Sequence, residues 1–239
     1  MNYFEVHIIG NVCKIQYNSD FKDEDLIMGS QEREVKDLST YKIHSQILKA
    51  GGKFLDFYRP SSNLSMRVIV STKAKSLIES FRKDNIRYYP CPVIRGKEPV
   101  KGFWITDKVI FDDEWVDFRK SEFFFRKRKL ISEESQPRAR YEVTEQIIQF
   151  KNLNDFINFR EKEMWHMDER SPYKIFIKEG CPYHILSIHI TGPRYLIVSE
   201  ELKNELQKQK MDKGIEFKPL EISDEEWYGP NGLRKQFYK

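Results

Sequence analysis

Leu196-Ile-Val-Ser-Glu-Glu-Leu-Lys-Asn-Glu-Leu206, running on to Gly214-Ile-Glu-Phe-Lys-Pro219, decides how this chain is read. Three apolar residues precede Ser199; Leu202 and Leu206 then recur at helical spacing, with Met211 near the end. Ile215 and Phe217 alternate with charged residues until Pro219 stops the run. The pattern predicts a strand, a serine-capped helix and a second strand. The Ser199 hydroxyl can accept from an otherwise orphaned amide in the first helical turn, and Glu200 and Glu201 suit the positive end of the helix dipole.

A related stretch lies about half a chain earlier. Val68-Ile-Val-Ser71 leads into a helix face of Ala74, Leu77, Ile78 and Phe81, and Ile86-Arg-Tyr-Tyr-Pro90 closes it. Ile69-Val70-Ser71 matches Ile197-Val198-Ser199, and Ile86, Tyr88 and Pro90 match Ile215, Phe217 and Pro219. One extra residue, near Gly214, separates the copies; upstream, Tyr41-Lys-Ile43 pairs with Tyr173-Lys-Ile175. An internal duplication fits these likenesses, and so do two instances of a common unit. Each copy has the size of a βαβ crossover, so its two strands are expected to run parallel, whereas strands joined by short turns would be antiparallel. The expected fold class is α+β, with mixed, mostly antiparallel sheets and a few amphipathic helices.

Outward from these copies, Tyr3–Ile9 and Val12–Tyr17 flank Gly10-Asn11 and predict a hairpin. Residues 18–40 read as a polar connector with one short helix, Tyr41–Leu48 as extended, and Ser61-Ser62-Asn63 as a turn. Pro92, Gly96 and Pro99 predict a loop over 91–101. Phe103–Thr106, Val109–Phe111, Trp115–Phe118 and Phe123–Phe125 predict the strands of a meander, and Lys127–Arg138 an exposed turn or lobe boundary. Tyr141–Ile148 reads as a strand, and Asn152 as the cap of a helix carrying Leu153, Phe156, Ile157, Arg160 and Met164, with Trp165 closing its apolar face. Gly180-Cys-Pro182 and Gly192-Pro193 read as turns around a strand from Tyr183 to Ile190. An N-terminal lobe over 1–135 and a C-terminal lobe over 136–239 are expected, or one compact domain holding both.

Composition bounds the chemistry. The excess of 41 basic over 37 acidic side chains, a net +4, is small for a dedicated nucleic-acid binder. Cys13, Cys91 and Cys181 are odd in number and far apart, which suggests neither a disulfide framework nor a thiolate metal site and fits a reducing compartment. The N-terminal residues lack the charge and apolar pattern of a signal peptide, and no apolar run reaches bilayer length, so a soluble cytoplasmic protein is expected.

No catalytic constellation emerges. His184 and His189 are five apart on an expected strand and point to opposite faces; His7, His44 and His166 are scattered. Cys91 and Cys181 precede prolines, with no base nearby to activate a thiol. Asp112-Asp-Glu114, Glu133-Glu134 and Asp224-Glu-Glu226 are expected in solvated turns. Neither a Walker pattern nor a dinucleotide-binding glycine motif follows any strand. No catalytic residue, cofactor or metal is therefore expected. A hydrolase would need a pocket lined by converging carboxylate and His. The basic run Arg126-Lys-Arg-Lys129 after Phe123-Phe-Phe125 is the strongest nucleic-acid feature, since aromatics stack bases while cations meet phosphate. It equally suits a protected sheet edge or an acidic protein partner.

In order and spacing, three features resemble a family of bacterial immunity proteins from polymorphic toxin systems, the group numbered eleven and typified by a myxobacterial protein, or a related immunity family. They are Ile69-Val-Ser71 with its helix and Ile86-x-Tyr88-x-Pro90; Phe103-Trp-Ile-Thr106 leading into Val116-Asp-Phe-Arg-Lys-Ser-Glu-Phe123; and Leu196-Ile-Val-Ser-Glu-Glu-Leu-Lys ending near Gly214-Ile-Glu-Phe217. The match spans roughly residues 54–222 by pattern, without an invariant motif. The resemblance implies a non-enzymatic cytoplasmic protein that binds the effector domain of a cognate toxin and blocks it by occupation. The exposed aromatics and cations that would anchor such a partner are Trp104, Trp115, Phe123, Arg126 and Arg128. The alternative is a nucleic-acid-binding module using the aromatic-basic segment 123–129; neither reading calls for a membrane.

Overall fold

The computed structural model describes residues 1–9, 14–15, 38, 43, 45–48, 54–60, 67–132, 140–163, 169–189 and 196–238. Expectations for residues 18–37, Gly51-Gly52, Ser61–Asn63, Glu133–Arg138, Met164–Met167 and Gly192-Pro193 lie outside them, as do Cys13, His44 and Tyr41.

In chain order the elements are β1 (Tyr3–Ile8), β2 (Lys14–Ile15), β3 (Gln46–Leu48), β4 (Phe57–Tyr58), β5 (Ile69–Ser71), α1 (Thr72–Phe81), β6 (Ile86–Pro90), β7 (Val93–Arg95), β8 (Glu98–Val100), β9 (Phe103–Lys108), β10 (Glu122–Ser132), β11 (Arg140–Ile148), α2 (Leu153–Glu163), β12 (Glu169–Lys174), β13 (Ile185–Leu186), β14 (Leu196–Ser199), α3 (Glu200–Lys208), β15 (Ile215–Pro219), α4 (Asp224–Tyr228) and α5 (Arg234–Phe237). The protein is α+β, with mixed and mostly antiparallel sheets; β3 and β7 are the parallel neighbours among the described strands.

The chain divides into two compact units: Met1–Asp112 with Pro182–Pro219, and Asp113–Cys181 with Leu220–Lys239. Neither is continuous in sequence. A cut between 135 and 136 would fall between β10 and β11, which pair along their length.

The first unit is built on two four-stranded sheets, β4-β5-β9-β6 and β13-β14-β1-β15. They share one plan. In each, a strand and its helix return as a second strand parallel to the first, with an antiparallel strand inserted between the two. The registers coincide: Ser71 faces Phe103 as Ser199 faces Tyr3, and Pro90 faces Trp104 as Pro219 faces Phe4. At the outer edge Phe57 faces Val70 as Ile185 faces Val198. Backbone bonds outside the ladders repeat too: Thr72 N–H donates to Gly102 O and Glu200 N–H to Asn2 O, while Val109 N–H donates to Asn85 O and Ile9 N–H to Gly214 O. The sequence likeness is therefore a structural repeat, with β9 and β1 as the counterparts that it left unmatched. The Tyr41/Tyr173 likeness does not belong to the repeat, because Tyr173 lies on β12 in the other unit.

Both serines cap as expected: Ser71 Oγ accepts from Ala74 N–H at 3.1 Å, and Ser199 Oγ from Leu202 N–H at 3.3 Å. Ala74, Ile78, Leu202 and Leu206 enter one core with Phe4, Val6, Phe57, Val70, Val198, Ile215 and Phe217. The other face of the first sheet, with Tyr58, Ile69, Phe103 and Ile105, packs with Leu38, Leu48 and Val93. The connection after α3 is longer than that after α1: Lys210 turns at φ 58° and Gly214 at φ 79°.

The hairpin expected from Tyr3–Ile9 and Val12–Tyr17 does not form. β1 is bonded on both sides by β14 and β15, and Lys14-Ile15 pairs with β3. The expected loop over 91–101 contains a hairpin, in which Arg95 faces Glu98 across Gly96-Lys97. Gly96, at φ 67°, supplies the positive dihedral that a tight turn needs. Pro99 is accommodated because β8 is an edge strand.

The second unit carries the sheet β11-β10-β12. Phe123 and Phe125 join Phe118, Phe150, Phe156 and Phe159 in an aromatic core against α2, which Asn152 caps by accepting from Asp155 N–H at 2.9 Å. The expected meander is absent: β9 and β10 lie in different sheets, 109–112 is not a strand, and Asp113–Trp115 form a 3-10 turn. The turn expected over Lys127–Arg138 does not begin at Lys127 either, since β10 continues to Ser132. Asp224-Glu-Glu226, expected in a turn, opens α4, where Ser223 and Glu226 form a capping box. The strand expected from Tyr183 to Ile190 shortens to Ile185-Leu186, with residues 185–188 buried in succession instead of alternating.

Candidate binding surface

Antiparallel partners that sit directly opposite project to the same side of a sheet, and successive residues alternate. β10 therefore has two faces. Phe123, Phe125 and Lys127 turn toward α2: Phe123 is 2% exposed, and Lys127 Nζ lies 3.2 Å from Glu163 Oε2 and 5.0 Å from the Phe159 ring centre. Phe124, Arg126, Arg128 and Leu130 take the other side, facing Ile147, Glu145, Val143 and Tyr141 on β11.

That outward face mixes apolar area with paired charge. Leu130, Val143 and Ile147 are 44%, 51% and 50% exposed, while Phe124 and Tyr141 are half-buried. Arg126 bridges both neighbouring strands, with Nε 2.8 Å from Glu145 Oε1 and Nη1 2.8 Å from Glu169 Oε2; Arg128 also pairs with Glu169. The Glu145 hydrogen bond, aided by Glu169, raises the Arg126 guanidinium above its already high pKa. Lys129 lies opposite Glu142. Across-strand carboxylates thus answer much of the basic run, which leaves it less charge for phosphate.

Of the five residues expected to anchor a partner, Arg126 and Arg128 share this face. Phe123 does not: it is a core residue, and its neighbour Phe124 is the outward aromatic. Trp115 sits half-buried in the 3-10 turn, its carbonyl accepting from Lys178 N–H at 2.8 Å. Trp104 belongs to the other unit, where its Nε1 donates to Thr72 Oγ1 at 3.0 Å and Lys75 lies 5.0 Å from its ring centre. Lys203 repeats that contact over Phe4 at 4.0 Å. The structure does not bring the five together. Leu130, Tyr141, Val143 and Ile147 were missed, and the strict alternation of the two strands is the signal that would have found them.

Elsewhere, titratable groups are engaged in structure. His184 Nδ1 lies 3.0 Å from Ser199 Oγ and 3.5 Å from Glu201 Oε2. A triad sets its acid on the imidazole nitrogen away from the serine. Here both oxygens meet Nδ1 and Ser199 is fully buried, so the group is a helix cap. Arg82 is buried with Nη1 2.9 Å from Asp112 Oδ1, and it stacks 3.7 Å from the Tyr183 ring centre. His7 Nε2 meets Glu5 Oε2 at 2.6 Å, while burial pushes the Lys108 amine down to about 7 against the pull of Glu5. Cys91 and Cys181 are both buried. Among the described residues, no three His, Cys, Asp or Glu are placed to hold a metal ion, and no helix is long and apolar enough to cross a membrane. Compared with known proteins, the chain matches no protein-family model, and no curated protein matches it.

Proposed function

We propose that the chain is a non-enzymatic binding protein, an immunity protein that neutralises a cognate bacterial toxin in the cytoplasm by occupying its effector domain. The observation that carries this reading is the outward face of β10 and β11. Arginines and aromatics dominate binding hot spots, and Arg126, Arg128, Phe124 and Tyr141 lie there among exposed Leu130, Val143 and Ile147. The order of the motifs around Ser71, Trp104 and Ser199 supports it through resemblance to toxin-immunity families.

The test is co-expression with the product of the neighbouring gene, followed by co-purification and a growth assay. A stoichiometric complex and protection are expected. Arg126→Ala combined with Tyr141→Ala should weaken the complex by roughly tenfold or more while the chain stays folded. A chain that recovers no such product and gives no protection overturns the reading.

A further inference from the structure

We propose that β11 is a seam between two copies of this chain, paired antiparallel about Thr144. The argument begins with how the sheet edges are guarded. An exposed edge strand invites pairing, and proteins blunt edges by shortness, proline or lysine. Among the described strands, β2, β4 and β13 are edges of two residues each. β8 has three residues and carries Pro99, and β12 carries Pro172. β6 and β15 end on Pro90 and Pro219. β11 differs: nine residues, Arg-Tyr-Glu-Val-Thr-Glu-Gln-Ile-Ile, with no proline, glycine or lysine and with strand-favouring Tyr141, Val143, Thr144, Ile147 and Ile148. Among the described residues nothing pairs with its outer edge.

Its sequence selects the occupant. Two identical strands related by a twofold axis must pair antiparallel with one residue opposite itself, because opposed residues share a face. Centring on Glu142 or Glu145 would set two carboxylates face to face, which is unfavourable. Centring on Thr144 opposes Val143 to Glu145 of the second copy, Glu142 to Gln146 and Tyr141 to Ile147. No like charges then meet directly, and the exposed Ile147 gains an aromatic partner. Glu145 is already neutralised by Arg126 within its own sheet. The outcome is a continuous six-stranded sheet whose outward side carries two copies of the Phe124–Arg126–Arg128 row. This seam needs no toxin and stands apart from the function proposed above.

Thr144 is exposed, and its replacement tests the axis itself. Sedimentation velocity on the full chain should show a concentration-dependent dimer. Thr144→Lys sets two ammonium groups opposite each other, as Thr144→Glu sets two carboxylates; each should weaken dimerisation by about tenfold. Mixing the two variants should restore a dimer containing one of each, and circular dichroism should show both folded. A Thr144→Cys chain should oxidise to a disulfide-linked dimer more readily than wild type. A wild-type chain that stays monomeric up to roughly 100 μM, a concentration that populates even weak specific dimers, overturns the seam. So does a dimer indifferent to both charged variants, which would place the contact on another surface.

Discussion

Asp56 and His184 occupy the same place in the two copies of one motif. Each precedes its sheet's short outer strand and accepts through its carbonyl from the cap serine's amide, Ser71 N–H at 2.9 Å and Ser199 N–H at 2.8 Å. Each also meets the serine hydroxyl by side chain: Asp56 Oδ1 lies 2.5 Å from Ser71 Oγ, and His184 Nδ1 3.0 Å from Ser199 Oγ. A carboxylate and an imidazole thus do one structural job, orienting a hydroxyl whose lone pair holds the start of a helix.

Loss of either hydroxyl should therefore be felt equally. Ser71→Ala and Ser199→Ala should each cost about 1 kcal/mol in urea denaturation, the usual worth of an N-cap. His184→Asp, which copies the Asp56 arrangement, should unfold within about 1 kcal/mol of wild type, since most single changes that keep a hydrogen bond stay in that range. A His184→Asp chain that fails to fold would refute the equivalence.

Much of the first unit was legible because its decisive signals are local. A serine before a periodic apolar run and a proline four residues after an isoleucine both act within one element. β1 was misread because its partners, β14 and β15, come from the far end of the chain, and nothing near Gly10-Asn11 records them. The second unit hid for the same reason: Arg126 looked like a cation available to phosphate or a partner until Glu145 and Glu169 lay across from it. On the candidate surface, composition pointed to Phe123, but parity decides exposure, and one residue separates a core phenylalanine from an outward one.

That parity can be measured. Phe123→Ala empties a fully packed position among Phe118, Phe150 and Phe156 and should cost roughly 3–5 kcal/mol. Phe124→Ala, on the half-exposed face, should cost about 1 kcal/mol. Equal losses would overturn the assignment of faces, and chemical denaturation reads both.

The buried Arg82 has two acidic neighbours of unequal importance. Asp112 is 1% exposed by side chain and also accepts from Ser187 N–H at 2.9 Å, whereas Asp84, 2.8 Å from Arg82 Nε, is 59% exposed. Removing the buried partner leaves the guanidinium to the exposed Asp84 and the Ile185 carbonyl, so Asp112→Ala should cost roughly 3 kcal/mol. Asp84→Ala breaks a solvent-screened pair and should cost under about 1 kcal/mol. The reverse ranking in thermal or urea unfolding would contradict this account.

Lys108 ends β9 with its amine buried, and burial brings its pKa down to about 7, although the Glu5 carboxylate favours the charged form. In the unfolded chain a lysine titrates near 10.4. Between those values the unfolded chain binds the extra proton, so folding becomes more favourable as pH rises from about 7 toward about 10. Below about pH 7 both states are protonated and this contribution levels off at its least favourable value. One proton gives a slope of at most about 1.4 kcal/mol per pH unit. Urea midpoints at pH 6, 7.5 and 9 should climb for wild type and climb less for Lys108→Met, which has no amine to titrate. Parallel pH profiles for the two proteins would show that the amine keeps its ordinary proton affinity in the fold.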